Sequence, residues 1–302
     1  MRGEMANARQ VLVRLLPPIL ADLLRSVKHR ARQANSLKEA LGNAVSGEKS
    51  EWEAVPADRW TASNGWLHPS IVATQIEKWR EFSQSIRCPE PFGKSHEANP
   101  GAVVNVSAHN ITMTFGYAVG RVIAEKQNGD PTRLLDWGGG IGHYASLAGE
   151  LFPRAHFDYV IRELETLAEA GRPLLPQVSF LCDDDEALSQ SYDLIFASSS
   201  LQYSRDIYGL LSKMAESGSR WIMVCRMPFI DHAHDFVVLQ RPHRYGYNTE
   251  YTGWFLNRFK FVDFMKAKGY RLDREFLNDE RPFVPNAPEQ CTYRGYLFEK
   301  TH

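Results

Sequence analysis

Asp136-Trp137-Gly138-Gly139-Gly140-Ile141-Gly142 stands directly after the apolar pair Leu134-Leu135 and before a helix-compatible stretch, residues 143–151. An acidic residue, glycines at alternate positions and then a helix start make a turn that can cradle a nucleotide. Glycine lacks Cβ, so the backbone can bend sharply and come close to a ligand. The first amides of the following helix have no partner within it and can face polar ligand atoms. The dinucleotide pattern Gly-x-Gly-x-x-Gly does not fit, because its third glycine, counted from Gly138, would fall at His143. Further carboxylates follow. Glu163 lies 27 residues past Asp136, and Asp183 is followed by Asp184 and Asp185. A carboxylate offers two acceptor oxygens and can take both hydroxyls of a diol. Asp231-His232-Ala233-His234-Asp235 carries two imidazoles one residue apart, on one side of an extended chain. Histidine titrates near neutrality and suits proton removal from a hydroxyl. Two histidines alone do not define a metal site, and an exposed loop is the competing reading of that stretch.

These residues need elements to hold them. Residues 133–137, 155–161, 178–182, 192–197 and 220–225 read as strands, with helices over 144–151, 164–171 and 207–217 between them. Such alternation predicts an α/β fold, a parallel sheet covered on both faces. Ligands bind such sheets beyond the carboxyl ends of the strands, where Asp136, Glu163, Asp183 and Ser198 all fall. Residues 103–126 read as a preceding helix, stopped by Asn128-Gly129-Asp130-Pro131. Residues 236–240 read as a short strand, 255–268 as a helix ended by Gly269, and 270–276 and 292–298 as two closing strands.

Asp-x-Gly-x-Gly-x-Gly at 136–142 resembles the first motif of the class I S-adenosylmethionine-dependent methyltransferases. The resemblance implies a Rossmann-like seven-stranded sheet with helices on both faces and an antiparallel last strand. It implies S-adenosyl-L-methionine as cofactor, its methionine end over Gly138, Gly140 and Gly142. Asp136 would then hold the loop near the cofactor's amino group, and Glu163 would take the ribose hydroxyls. Asp183 would meet the adenine amino group, with Asp184 and Asp185 as neighbours that could serve instead. Ala197-Ser198-Ser199-Ser200-Leu201-Gln202-Tyr203 would border both adenosine and acceptor, Ser198 on the cofactor side and Gln202 or Tyr203 toward the acceptor.

More narrowly, that motif with Arg162-Glu163-Leu164, Ala170-Gly171-Arg172, the 197–203 segment and Phe236-Val237-Val238-Leu239-Gln240 is similar to a methyltransferase family found among bacterial surface-polysaccharide biosynthesis proteins. Residues 47–52 and Asn64-Gly65-Trp66 are similar to its N-terminal pattern. That resemblance spans nearly the whole chain. It implies O-methylation of a sugar, glycolipid or related small molecule. From their own chemistry and place, His232 and His234 are the candidate bases, and no metal is expected. His143 is expected to shape the cofactor pocket. A non-catalytic scaffold and an NAD(P)-dependent oxidoreductase would use the same sheet.

Bulk properties bound these readings. With 302 residues, 43% of them hydrophobic and 24% charged, the chain can bury a substantial core, which excludes disorder. A net charge of -1 gives no general electrostatic attraction to nucleic acid. Cys88, Cys182, Cys225 and Cys291 are too dispersed for a zinc site or redox pair, in keeping with a reducing cytoplasm. Residues 1–100 lack strand–helix alternation and read as a helical extension to a catalytic domain at 101–302. Within it, 71–86 reads as a helix, and Trp52, Trp60, Trp66 and Trp79 read as packing anchors. No secretory signal opens the chain, and its first apolar run is too short to span a bilayer. Leu20, Leu23, Leu24 and Val27 fall at helical spacing among basic residues of the 1–32 segment. Such a helix packs on protein or lies peripherally on an anionic membrane. A small-molecule or glycan acceptor is the expected partner; the oligomeric state is open.

Overall fold

The apolar runs beyond residue 130 are buried on both faces, so they form central strands rather than amphipathic edges. The structure is a computed structural model that describes residues 49–60, 64–95, 97–99, 101–126 and 129–301. The basic segment 1–32 lies outside the described residues. In chain order the elements are β1 (Trp52–Val55), α1 (Pro69–Ser85), α2 (Val106–Ile123), β2 (Thr132–Trp137), α3 (His143–Leu151), β3 (Phe157–Arg162), α4 (Glu165–Gly171), β4 (Ser179–Leu181) and α5 (Asp184–Leu188). They continue with β5 (Leu194–Ser198), α6 (Ile207–Glu216), β6 (Trp221–Ile230), β7 (Phe236–Gln240), β8 (Tyr251–Asn257), α7 (Arg258–Ala267), β9 (Tyr270–Leu277) and β10 (Thr292–Lys300).

The main sheet runs β4-β3-β2-β5-β6-β10-β9. Strands β2 to β6 are parallel, and β10 inserts antiparallel between β6 and β9. This is the Rossmann-like arrangement that the 136–142 motif implied. Alternate side chains feed two cores. Leu135, Ile195 and Val224 face α6 and α7, while Leu134, Phe196 and Met223 face α2 and α3. Phe115 of α2 is fully buried with its ring 4.9 Å from Phe196 and from Tyr144. Truncating such a ring to Ala costs about 3–5 kcal/mol. Among the described residues no helix is long and apolar enough to cross a membrane.

Two elements differ from the sequence reading. The compact unit begins at Glu51, not near residue 100, and β1 pairs antiparallel with β7. A four-residue strand whose partner lies far along the chain leaves no local signature. The run read as one helix from 255 is instead β8 followed by α7. Asn257 divides them, its side chain accepting the amides of Phe259 and Lys260 at 3.1 Å. β8 lies parallel to the last two residues of β6 and antiparallel to β7, which extends the sheet to ten strands.

Candidate active site

The glycine loop is folded against three neighbours. The Gly138 amide donates to the Arg162 carbonyl at 2.9 Å, tying the end of β2 to β3. Gly138, Gly140 and Gly142 have φ of 72°, 59° and 104°. A Cβ at position 138 would stand 2.5 Å from Cβ of Ser200, whose hydroxyl donates to the Trp137 carbonyl at 2.6 Å. A Cβ at position 140 would stand 2.9 Å from Oε1 of Gln75. Helix α1 therefore lies over the loop. Gln75 is 5% exposed; its Nε2 donates to the Tyr247 hydroxyl at 3.4 Å, and its Oε1 has no hydrogen-bond partner among the described residues.

Two acids lie beneath the loop. Glu163 is buried, with Oε2 accepting the Gly140 amide at 2.8 Å and Oε1 accepting the Leu164 amide at 2.7 Å. Burial pushes its pKa up, against the pull of those two amides. Each oxygen keeps a lone pair for a further donor. Asp136 is buried at the end of β2 and accepts the Tyr159 hydroxyl at 3.1 Å. Burial, reinforced by the nearby Glu163 charge and opposed by the Tyr159 bond, pushes its pKa up to about 8. Such a pair favours a cationic ligand, whose charge offsets the cost of ionising buried carboxyls.

Ser198 closes β5, its hydroxyl 2.9 Å from that of Tyr144. Beyond it the Ser199 amide donates to the Cys225 carbonyl at 3.0 Å. Ser199, just past β5, and Arg226, within β6, have φ of 52° and 49°. Left-handed backbone costs a non-glycine residue about 1–2 kcal/mol, and such strain gathers at functional sites. Arg226 is held by Glu97 at 3.0 Å and Glu280 at 2.8 Å.

The remaining sequence candidates follow β4 and β6. Asp183 follows β4 but is exposed, and its carboxylate caps α5 by accepting the Glu186 amide at 2.8 Å. Asp184 pairs with Arg162. His232 and His234, the candidate bases, stand just beyond the strand that the sequence reads as ending at 225. That strand runs to Ile230, five residues beyond Cys225, which is paired with Ser198. The 231–235 turn follows Ile230, and Asp235 at its end accepts the Tyr208 hydroxyl at 3.0 Å. Both imidazoles are exposed there, and Glu289 holds the turn by accepting the amides of Asp231, His232 and Ala233 at 2.9, 2.8 and 2.7 Å. No group of three metal-ligating side chains occurs among the described residues.

Sequence reading missed Gln75, Tyr247 and Arg226. Arg226 was legible, as a charge inside the apolar run Met223-Val224-Cys225-Arg226-Met227. Gln75 carries no such signal. Trp66, read as an anchor, stacks on Tyr251 at 4.4 Å and lies 4.9 Å from the Tyr203 ring.

No protein-family model and no curated protein sequence matches the chain. Among solved structures it is similar to 1,6-didemethyltoxoflavin-N1-methyltransferase of Burkholderia thailandensis with bound 1,6-didemethyltoxoflavin and S-adenosylhomocysteine. That likeness has 14% identity and a TM-score of 0.47, over 84% of this chain and 97% of the other. Magnesium protoporphyrin IX methyltransferase of Synechocystis PCC 6803, with bound S-adenosylhomocysteine, matches at 14% identity and a TM-score of 0.45, over 79% and 100%. The mitomycin 7-O-methyltransferase MmcR matches at 14% identity and a TM-score of 0.40, over 78% and 70%. At such values no residue-level correspondence follows, and the chemistry is read from this chain's own side chains.

Proposed function

We propose that the chain is an S-adenosylmethionine-dependent methyltransferase acting on a hydroxyl of a small molecule, a sugar or glycolipid among them. One observation carries the reading: the buried Glu163 carboxylate holds the amide of Gly140 and keeps lone pairs at the edge of the glycine loop. A ribose diol supplies the two donors those lone pairs accept. The residues fit the cofactor in other respects. Buried Asp136 and Glu163 favour a ligand bearing ammonium and sulfonium charge. The bare Oε1 of Gln75, over Gly140, takes a further donor.

Bound there, S-adenosylmethionine supplies a methyl group made electrophilic by its sulfonium. Transfer would exchange the S–C bond for a C–O bond to the acceptor, the bonding pair passing to sulfur and the hydroxyl proton to solvent. The protein's part is to align two reactants and exclude water. Small residues at 198–200 permit close approach at the end of β5. The sugar or glycolipid acceptor is motivated by the similarity of the 136–142, 162–172, 197–203 and 236–240 segments to the polysaccharide-associated family. Peripheral membrane contact through residues 1–32 is part of the same proposal, tested by liposome co-sedimentation with and without that segment.

Calorimetric titration with S-adenosylmethionine and with NAD tests the reading. Saturable binding of the first and none of the second is expected. Binding of NAD alone, or of neither, overturns it.

A further inference from the structure

Two cavities lie side by side between α1, α2 and α3. An outer groove of about 220 Å³ opens between the C-terminal half of α1 and the 90–94 segment. An inner chamber of about 40 Å³ ends at His143, Tyr144 and Arg226. Phe82, Lys94, Thr112 and Leu147 line both. His143 and Tyr144 are the first residues after the glycine loop, and Tyr144 meets Ser198 at the end of β5. From this geometry we infer that groove and chamber form one passage that delivers the acceptor to the loop, and that it selects an elongated, uncharged alcohol. The inference rests on the methyltransferase reading for the word acceptor; the passage itself does not depend on it.

Charge decides the class. Arg226, the cation at the inner end, is already bound by Glu97 and, through two nitrogens, by Glu280. Lys94, at the junction, is paired with Glu81 at 3.2 Å. A ligand with a charged head would bring its own charge to the inner end of the chamber, beside a guanidinium that two carboxylates already neutralise, and an ionised group without a counter-charge is disfavoured there. A neutral hydroxyl meets no such cost. The hydroxyls of Ser95, Thr112 and Tyr144 line the chamber and can exchange hydrogen bonds with it.

Size decides the shape. A cavity needs roughly 10–15 Å³ on this measure for each water, so the chamber admits a slim end of a few heavy atoms. A hydroxymethyl group or a chain-terminal alcohol fits; a whole hexose ring does not. The body of the ligand lies in the outer groove, whose walls include Phe82, Ile86, Phe92, Val104 and Leu147.

The test uses the full chain and three probes of one length: 1-octanol, octanoate and octylammonium, each titrated by calorimetry. 1-Octanol is expected to saturate with a dissociation constant at least ten-fold below those of the charged probes. Two variants narrow the passage: Thr112→Trp at the junction, and Val104→Trp at the half-exposed rim, where a larger side chain leaves the core untouched. Each is expected to weaken 1-octanol at least ten-fold with the melting temperature held. Equal or tighter binding of a charged probe overturns the inference. So does absence of 1-octanol binding, or its retention in Val104→Trp. S-adenosylmethionine is titrated in parallel. If it binds and 1-octanol does not, the passage fails and the methyltransferase reading stands. If 1-octanol alone binds, the passage stands and that reading fails.

Discussion

The Glu163 carboxylate, just past the end of β3, accepts the backbone amide of Gly140 at 2.8 Å, so the glycine loop and this acid are one unit. The acid both shapes the loop and keeps its remaining lone pairs at the loop's edge.

Glu163→Gln separates those roles from mere shape. The amide side chain is nearly isosteric, yet its nitrogen cannot accept from Gly140, Leu164 or a ribose hydroxyl. Removing one charged acceptor from a buried pair costs about 1–3 kcal/mol. Affinity for S-adenosylmethionine should fall roughly 10- to 100-fold by calorimetry, with the melting temperature lowered by a few degrees. An unchanged dissociation constant would take Glu163 out of the cofactor site.

Asp136 sets a pH dependence. An unfolded aspartate titrates near about pH 4, and burial raises the folded value to about 8. Between these limits the folded chain keeps a proton that the unfolded chain has lost. Its contribution is therefore full below about pH 4 and lost as pH rises toward 8. Glu163, also raised by burial, acts in the same direction. Asp136→Asn keeps an acceptor for Tyr159 and removes the titration. Melting curves from pH 5 to 8 should fall less steeply for the variant, which becomes the more stable protein at pH 8 by an amount on the order of a few kcal/mol. Parallel curves would show that Asp136 is already ionised in the folded chain.

What the sequence disclosed follows from what is local. The strands β2 to β6 were legible because buried parallel strands are short apolar runs with helices between them, and Gly138 to Gly142 because a bend needs glycine where it bends. Asp183 caps α5 through one oxygen, a use the sequence does not distinguish from a ligand contact, since both want an acid after a strand. Gln75 was invisible: a single amide on a helix becomes informative only when the fold lays it over Gly140. β8 was hidden because Trp254, Phe255 and Leu256 join the aromatic run of α7, with only Asn257 marking the break. The reading of β6 stopped five residues short, at Cys225, because Arg226 breaks its apolar run.

Gly138 tests how tightly the loop is packed. Gly138→Ala adds a methyl against Ser200 and puts an L-residue at φ 72°. Together these should destabilise the fold by about 2 kcal/mol or more in urea titrations. Ser200→Gly in the same chain removes the collision but not the backbone cost. Partial recovery is the expected result, leaving about 1–2 kcal/mol of loss. Full recovery would mean that the positive φ carries no cost at this position.

The last relation concerns the turn that carries the two exposed histidines. Glu289 accepts three successive amides there, and those bonds outweigh its partial burial and hold its pKa below the usual carboxylate range. A depressed carboxylate contributes stability above its unfolded value and loses it as pH falls through the folded one, so the turn should loosen on acidification. Glu289→Ala removes both acceptor oxygens at any pH. Hydrogen exchange at residues 231–233 should then accelerate at least ten-fold, because exchange in a surface turn follows local opening. Affinity for S-adenosylmethionine should stay within two-fold, in this variant and in one carrying His232→Ala with His234→Ala, since among the described residues none of the bonds that hold the glycine loop involves this turn. A ten-fold loss of affinity in either would place the turn at the cofactor.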